Sequence, residues 1–128
     1  MTLLILVLVS LGIFLTYNAV ALKKFGVPSS LSNTFYLWNG VKKNLGYIFT
    51  GMMFSMAFTL LPAWLELGEV VSSWSSYLNV LAFLGCASIA FVGAAPAFRG
   101  NKLEGTVHEV AAKLAAAASL AWCLVVCW

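Results

Sequence analysis

The chain has 128 residues, of which 62% are hydrophobic and only 9% are charged, and it contains neither Asp nor Gln. A chain so poor in polar residues cannot cover the surface of a water-soluble globule, which excludes a soluble enzyme or binding domain. The formal net charge of +3 comes from seven Lys and Arg set against four Glu, too few and too dispersed for a nucleic-acid surface, so we expect no nucleic-acid partner. The composition therefore predicts an all-α, polytopic membrane protein.

Four apolar stretches are each long enough to cross a membrane, which takes about 20 residues per helix. They are apolar on every side rather than alternating, which favours helices over barrel strands. The first stretch resembles a signal sequence, but no basic segment precedes it, so we expect it to be retained. The predicted transmembrane helices, within a single domain, are at about 2–22, 46–65, 77–98 and 106–128, with a short interfacial helix at about 29–39.

The distribution of charge predicts the orientation. Lys and Arg are concentrated in the first and third loops, whereas the second loop carries only Glu66 and Glu69. Because short loops rich in Lys and Arg stay in the cytoplasm, we expect both termini outside. An aromatic belt is predicted at the outer ends, formed by Trp64, Trp74, Tyr77 and Trp128.

The first loop is too apolar to be a plain tether. After Pro28, the residues Leu31, Phe35 and Trp38 recur at helical spacing, which predicts the interfacial amphipathic helix. Two interpretations stay open: a lid that covers the helices, or a segment that recruits lipid or gates an inner opening. The side chains expected to contact lipid headgroups are Lys23, Lys24, Lys42 and Lys43.

Small residues in the second and third transmembrane helices predict close helix packing. In the second helix they recur at strict four-residue intervals, and in the third they fill the inner half. Pro62 is expected near the outer end of the second helix and Pro96 at the inner end of the third. The predicted packing positions are Gly51, Ser55, Thr59, Gly85, Ser88 and Gly93, with Ala111 and Ala115 on the fourth helix.

Two segments resemble those of a group of bacterial multi-pass membrane proteins. The first is VPSSLSNTFYLW, in which the similar positions are Ser30, Ser32, Phe35 and Tyr36. The second is FVGAAPAFRGNKLEGTVHEVAA, in which they are Ala94, Ala95, Pro96 and His108. The resemblance implies a bacterial membrane protein and brings no activity with it. From the helices and the charge pattern we expect the inner membrane.

Polar residues at the start of the fourth transmembrane helix are the candidates for function, because ionisable groups are costly near a membrane. Glu104 and His108 are one turn apart and are expected to bond to each other, and Glu109 and Lys113 are spaced for an ion pair. The sequence supports either an interfacial anchor or a cytoplasm-facing vestibule for a proton, an ion or a headgroup. The predicted vestibule residues are Asn18, His108, Glu109 and Lys113.

Metal and redox chemistry have little support. Cys123 and Cys127 are one turn apart, but two thiols do not complete a tetrahedral site, so we expect no metal and no cofactor. Serine catalysis would need His108, the only histidine, as its base, and no catalytic motif surrounds it. No catalytic residue is assigned from the sequence.

These patterns predict a small integral membrane protein that acts through assembly, as a homo-oligomer or an accessory subunit of a membrane complex. The reason is that the small-residue ridges offer more packing faces than one compact bundle needs. An alternative is a small transporter or channel with its vestibule around His108, and a third is a lipid-modifying enzyme that uses His108 for acid–base work. The expected partners are membrane lipids and other membrane-protein chains.

Overall fold

The computed structural model of the protein describes residues 2–71 and 75–127, a range that excludes Trp74 and Trp128 of the predicted aromatic belt. Within these ranges the chain is helical and contains no strand. All helices except the second are long and apolar enough to span a membrane, which confirms the predicted all-α class with four transmembrane helices. The helices are α1 (Thr2–Phe25), α2 (Thr34–Val41), α3 (Tyr47–Val71), α4 (Ser75–Ala94) and α5 (Lys102–Cys127).

Local backbone chemistry explains where three of these helices end or begin. After α1, Gly26 adopts a positive φ of 72° and its N–H donates to the Leu22 carbonyl, a left-handed cap that glycine allows. The α4 helix ends four residues before the expected position because Pro96 disfavours helical geometry at the residue before it. The α5 helix begins at Lys102, earlier than expected, because the Asn101 side chain accepts the N–H of Leu103 at 2.9 Å.

The α3 helix does not stop soon after Pro62, as the sequence suggested, but continues to Val71. A proline inside a helix removes one backbone hydrogen bond. In lipid, however, ending the helix would leave still more backbone groups without partners, so continuation is favoured. At 1.5 Å per residue α3 is about 38 Å long, which exceeds a hydrocarbon core of about 30 Å. Its final turns therefore carry the exposed Glu66 and Glu69.

The four long helices form an open row rather than a closed bundle. α1 packs on α3, α3 on α4, and α4 on α5, whereas α1 and α5 do not pack along each other in the described residues. The first and third loops meet at one end of this row, where the Arg99 N–H donates to the Tyr36 hydroxyl at 2.7 Å. This lysine-rich end carries the basic residues of both loops, and the acidic end of α3 lies opposite.

The α2 helix packs inward across α1 and α3. Phe35 and Trp38 are buried in one cluster with Tyr17 and Phe49, and the Thr34 hydroxyl is hydrogen-bonded to the Tyr17 hydroxyl. The helix begins later than expected because the preceding residues form a turn in which the Ser30 hydroxyl accepts the N–H of residue 33. This packing is that of a lid over α1 and α3. Recruitment of lipid by this segment stays a prediction.

A second cluster of buried residues lies toward the acidic end of the row. Leu78 and Ala82 of α4 are completely buried there beside Trp122 of α5. The Trp122 ring stacks on Trp64 of α3 with a centroid distance of 4.8 Å and an angle of 12° between the planes. Apolar and aromatic packing therefore joins α3, α4 and α5 at this end.

Candidate functional site

His108 lies buried on the first part of α5, with 8% of its surface exposed. Its Nδ1 is 2.9 Å from the Ala95 carbonyl oxygen and its Nε2 is 2.8 Å from the Ser32 hydroxyl oxygen. A carbonyl only accepts hydrogen bonds, so this network assigns the proton of the neutral ring to Nδ1. Nε2 then accepts a hydrogen bond from the Ser32 hydroxyl.

The turn between α4 and α5 explains why His108 points there. Pro96 interrupts the helix, and the last carbonyl and N–H groups around it lose their helical partners. His108 satisfies the buried Ala95 carbonyl, and a Glu104 carboxylate oxygen accepts the Ala97 N–H at 3.1 Å. The predicted bond between Glu104 and His108 is therefore wrong, because each side chain serves the backbone of this turn instead.

Aromatic rings hold the imidazole from the side. The Phe98 ring stacks on His108 at a centroid distance of 4.6 Å and meets the edge of Tyr36 at 5.3 Å. The Arg99 guanidinium lies 5.1 Å from the centre of the Tyr36 ring. The first and third loops are thus joined by two polar contacts and an aromatic stack, which fixes the position of His108 relative to Ser32.

A groove of about 710 Å³ opens beside these residues, and we call it the His108 groove. Ser32 and His108 line it together with charged residues of α5. Measured along the helix, it extends from Lys102 to Lys113, about 16 Å at 1.5 Å per residue. Its lining residues are Ser30, Ser32, Phe98, Lys102, Gly105, Thr106, His108, Glu109, Ala112 and Lys113.

Three of the four predicted vestibule residues line this groove, and Asn18 does not. Glu109 and Lys113 form an ion pair of 2.6 Å, and their side chains are 67% and 74% exposed. Asn18 lies on α1, at the opposite side of the row, where its side-chain N–H donates to the Phe14 carbonyl at 2.8 Å. The open row keeps α1 away from α5, so Asn18 does not reach the groove.

The small residues of α4 lie inside the row, as expected for a helix with neighbours on both sides. Gly85, Ser88 and Gly93 are buried. A Cβ atom added to Gly93 would be 2.7 Å from the Met53 Cβ, and the Gly93 carbonyl accepts the Thr50 hydroxyl at 2.9 Å. On α5, the matching positions Ala111 and Ala115 are buried and half-buried, respectively.

The small residues of α3 behave differently from those of α4. Gly51 and Ser55 are exposed, and the Thr59 hydroxyl donates within its own helix to the Ser55 carbonyl at 2.9 Å. A four-residue step turns the helix by about 40° more than one full turn, so a ridge with this spacing drifts around the surface. By Ala63 the ridge is buried.

Gly51 and Ser55 line a second groove, also of about 710 Å³, between α1 and α3. We call it the α1–α3 groove. Gly12 and Thr16 of α1 face them across it, and a Cβ atom added to Gly12 or Gly51 would meet nothing within 4 Å. These glycines are therefore not used for packing within one chain.

The four lysines expected at lipid headgroups are exposed: Lys23, Lys24, Lys42 and Lys43. Only the second of them has a described aromatic contact, with its Nζ atom 5.0 Å from the centre of the Trp38 ring. Among the described residues, no group of three or more His, Cys, Asp or Glu side chains could hold a metal ion.

Sequence reasoning did not assign Ser32 to the site. The available signal was that the segments containing Ser32 and His108 both adjoin Lys-rich loops, which the charge pattern puts on one side of the membrane. The chain matches no protein-family model, no curated protein and no solved structure. The resemblance to bacterial membrane proteins therefore stays a prediction, and function has to be argued from the site.

Proposed function

We propose that the protein is a small multi-pass membrane protein that binds an anionic phospholipid in the His108 groove. The observation that supports this most strongly is the lining of the groove, in which Lys102 and Lys113 accompany the bonded pair of Ser32 and His108 at the lysine-rich end. Lysine ammonium groups attract phosphate oxygens, whereas the Ser32 O–H and the His108 N–H are already donated within the protein.

The charge around the groove favours an anion. Glu109 is paired with Lys113, so their charges largely cancel. Lys102 makes no ion pair within the described part of the chain and lines the same groove. A headgroup phosphate entering the groove would therefore meet one uncompensated positive charge.

A neighbouring apolar groove favours a lipid over a free phosphate ion. It has a volume of about 280 Å³, lies between α4 and α5, and shares Thr106 with the His108 groove. Its walls include Phe91, Val110 and Leu114. A phosphate at Lys102 could thus continue into an acyl chain that lies along α5.

The proposed setting is the bacterial inner membrane, with the lysine-rich end in the cytoplasm and both termini outside. The charge difference between the two ends of the row supports this orientation. Alkaline phosphatase fused to the C-terminus should be active, whereas a fusion after Lys43 should be inactive. The opposite pattern would reverse the orientation and put the His108 groove on the outer surface.

Native mass spectrometry after gentle detergent extraction tests the lipid proposal. The wild-type protein should retain an anionic phospholipid, and K102Q should retain it about five-fold less well, as expected from roughly 1 kcal/mol per lysine near a membrane surface. K43Q removes an exposed lysine that does not line the groove and should behave like wild type. An equal loss in both variants would indicate non-specific attraction and contradict the proposal.

We infer a second function, self-association through the α1–α3 groove, with another copy of this chain as the occupant. The open space above Gly12 and Gly51 favours it, because small residues allow close approach of a neighbouring membrane helix. The native mass should be a small multiple of 13.8 kDa and should fall in a variant that combines G51L and S55L. A monomer mass in the wild type, or a complex dominated by another protein, would contradict self-association.

A further inference from the structure

We propose that Ser32 is a nucleophile, activated by His108, that cleaves an acyl ester bond of the lipid bound in the His108 groove. The inference rests on the lipid binding proposed above and assigns a reaction to the same site. It uses three groups that the fold brings together from distant parts of the chain: the Ser32 hydroxyl, the His108 ring and the Ala95 carbonyl.

The geometry is that of a serine paired with an oriented general base. The Ser32 oxygen is 2.8 Å from His108 Nε2, within the distance needed for proton transfer. The Ala95 carbonyl accepts the hydrogen bond from Nδ1, which selects the tautomer whose Nε2 lone pair faces Ser32. A nucleophile, a base and a group that orients the base are the recurring components of covalent catalysis by serine.

The surroundings hold the ring in one orientation. Phe98 stacks on the imidazole, and Ala95 belongs to a turn that Pro96 and the Glu104 carboxylate both constrain. A base that is fixed before the substrate arrives does not have to be ordered during the reaction.

The proposed reaction balances with water as the only co-reactant. The Ser32 oxygen attacks the ester carbonyl carbon while His108 Nε2 takes the hydroxyl proton. The ester C–O bond then breaks, and the departing lysolipid alcohol takes that proton from His108. Water attacks the acyl-serine with His108 again accepting a proton, and the fatty acid leaves as the Ser32 hydroxyl is restored.

Two features can stabilise the negative charge that develops on the carbonyl oxygen. The backbone N–H of Ser32 makes no hydrogen bond within the described chain. The N–H of the nucleophile itself is a frequent donor to such an oxyanion. Lys102 lines the same groove and adds a positive charge to it.

Ser29 provides a control outside the groove. It is exposed in the same loop and does not line the His108 groove. Ser32, in contrast, is bonded to His108. S29A should therefore preserve the reactivity that S32A removes.

A tagged fluorophosphonate, which reacts with activated serine hydroxyls, tests the proposal on the full chain in detergent. The wild type should be labelled at Ser32, located by peptide mass spectrometry, and S29A should be labelled at the wild-type rate. S32A should not be labelled, and H108Q should be labelled about 100-fold more slowly, as expected for loss of a general base. No labelling of the wild type, or equal labelling in H108Q, would overturn the proposal.

Lipid retention separates this inference from the binding proposal. S32A keeps the groove and Lys102, so it should still retain the anionic phospholipid in native mass spectrometry, and this result also shows that the variant is folded. Wild-type protein that retains lipid but is not labelled would overturn the esterase and leave lipid binding intact. Retention of no anionic phospholipid by the wild type and by S32A alike would contradict the binding proposal, whatever the labelling result.

Discussion

Two grooves of about 710 Å³ each open on the protein, and their linings differ in kind. The His108 groove is lined by hydroxyl, imidazole and charged groups, which include two bonded pairs, Ser32 with His108 and Glu109 with Lys113. The α1–α3 groove is lined by apolar side chains and small residues, and its glycines are free of close contacts. Grooves of equal volume can therefore differ completely in the polar contacts made at their walls.

The origin of each groove also differs. The His108 groove exists because Pro96 interrupts a helix and leaves backbone groups that side chains of α5 must satisfy. The α1–α3 groove exists because the small residues of α3 drift around the helix, so that Gly51 faces outward while Ala63 faces inward. The His108 groove thus follows from the interruption of the chain's helical structure at Pro96, and the α1–α3 groove follows from the uninterrupted helix α3. The following predictions test this difference.

The largest effect is expected for H108F, which keeps an aromatic ring beside Phe98 but removes both hydrogen bonds. The buried Ala95 carbonyl then has no donor, which costs about 1–3 kcal/mol, and the bond to Ser32, worth about 1 kcal/mol, is lost as well, so we expect the free energy of unfolding to fall by about 2–4 kcal/mol. Unfolding in mixed micelles with increasing SDS measures this change. T106V, on the exposed side of the same groove, should stay within about 0.5 kcal/mol of wild type. An H108F variant as stable as wild type would contradict the role assigned to the turn.

A smaller effect on the free energy of unfolding is expected to distinguish the packed glycine, Gly93, from the exposed glycine, Gly51. G93A places a Cβ atom 2.7 Å from the Met53 Cβ and should lower the free energy of unfolding by about 1–3 kcal/mol. G51A meets nothing within 4 Å and should be neutral or slightly stabilising, since alanine favours a helix by roughly 0.5–1 kcal/mol. The same unfolding assay compares the two variants. Equal losses would show that Gly51 is packed within one chain and would remove the argument for a free α1–α3 groove.

The stacked pair Trp64 and Trp122 provides a reference remote from the lysine-rich end. A double-mutant cycle in which Trp64 and Trp122 are replaced by leucine, singly and together, should give a coupling energy of about 0.5–1.5 kcal/mol. Retention of phospholipid should be unchanged in all three variants. A change in retention would mean that the His108 groove depends on packing at the other end of the row.

The smallest effect is expected for the exposed ion pair. The side chains of Glu109 and Lys113 are largely in solvent, so a variant that combines E109Q and K113Q should unfold at the same SDS fraction as wild type. A clear loss of stability would mean that this pair is covered by lipid or by another chain. That result would extend the site beyond the groove described for one protomer.

Much of the fold follows from the sequence because each transmembrane helix is a local pattern. Apolar length predicts four spans, and Pro96 predicts the end of α4 to within a turn. The extension of α3 past Pro62 is not predictable from propensity, since the membrane changes the cost of ending a helix. Contacts between helices are harder still, because hydropathy does not distinguish an open row from a closed bundle. This is why Asn18 was assigned to a site that it does not reach.

The site is only partly predictable for the same reason. His108, Glu109 and Lys113 share one helix, so their proximity follows from helical spacing. Ser32 is 76 positions from His108 in the chain, and no periodic pattern connects them. Their contact depends on α2 packing inward and on the turn after Pro96, both of which are tertiary features.

Photocrosslinking from the two grooves distinguishes a lipid-binding groove from a contact between two copies of the chain. Benzoylphenylalanine at Thr106 lies in the His108 groove, and at Thr16 it lies in the α1–α3 groove. After irradiation in native membranes, adducts at Thr106 should be enriched in anionic phospholipid relative to the membrane composition, whereas Thr16 should yield a covalent dimer. Lipid adducts at Thr106 that only mirror the membrane composition would contradict the claim that the His108 groove is a lipid site.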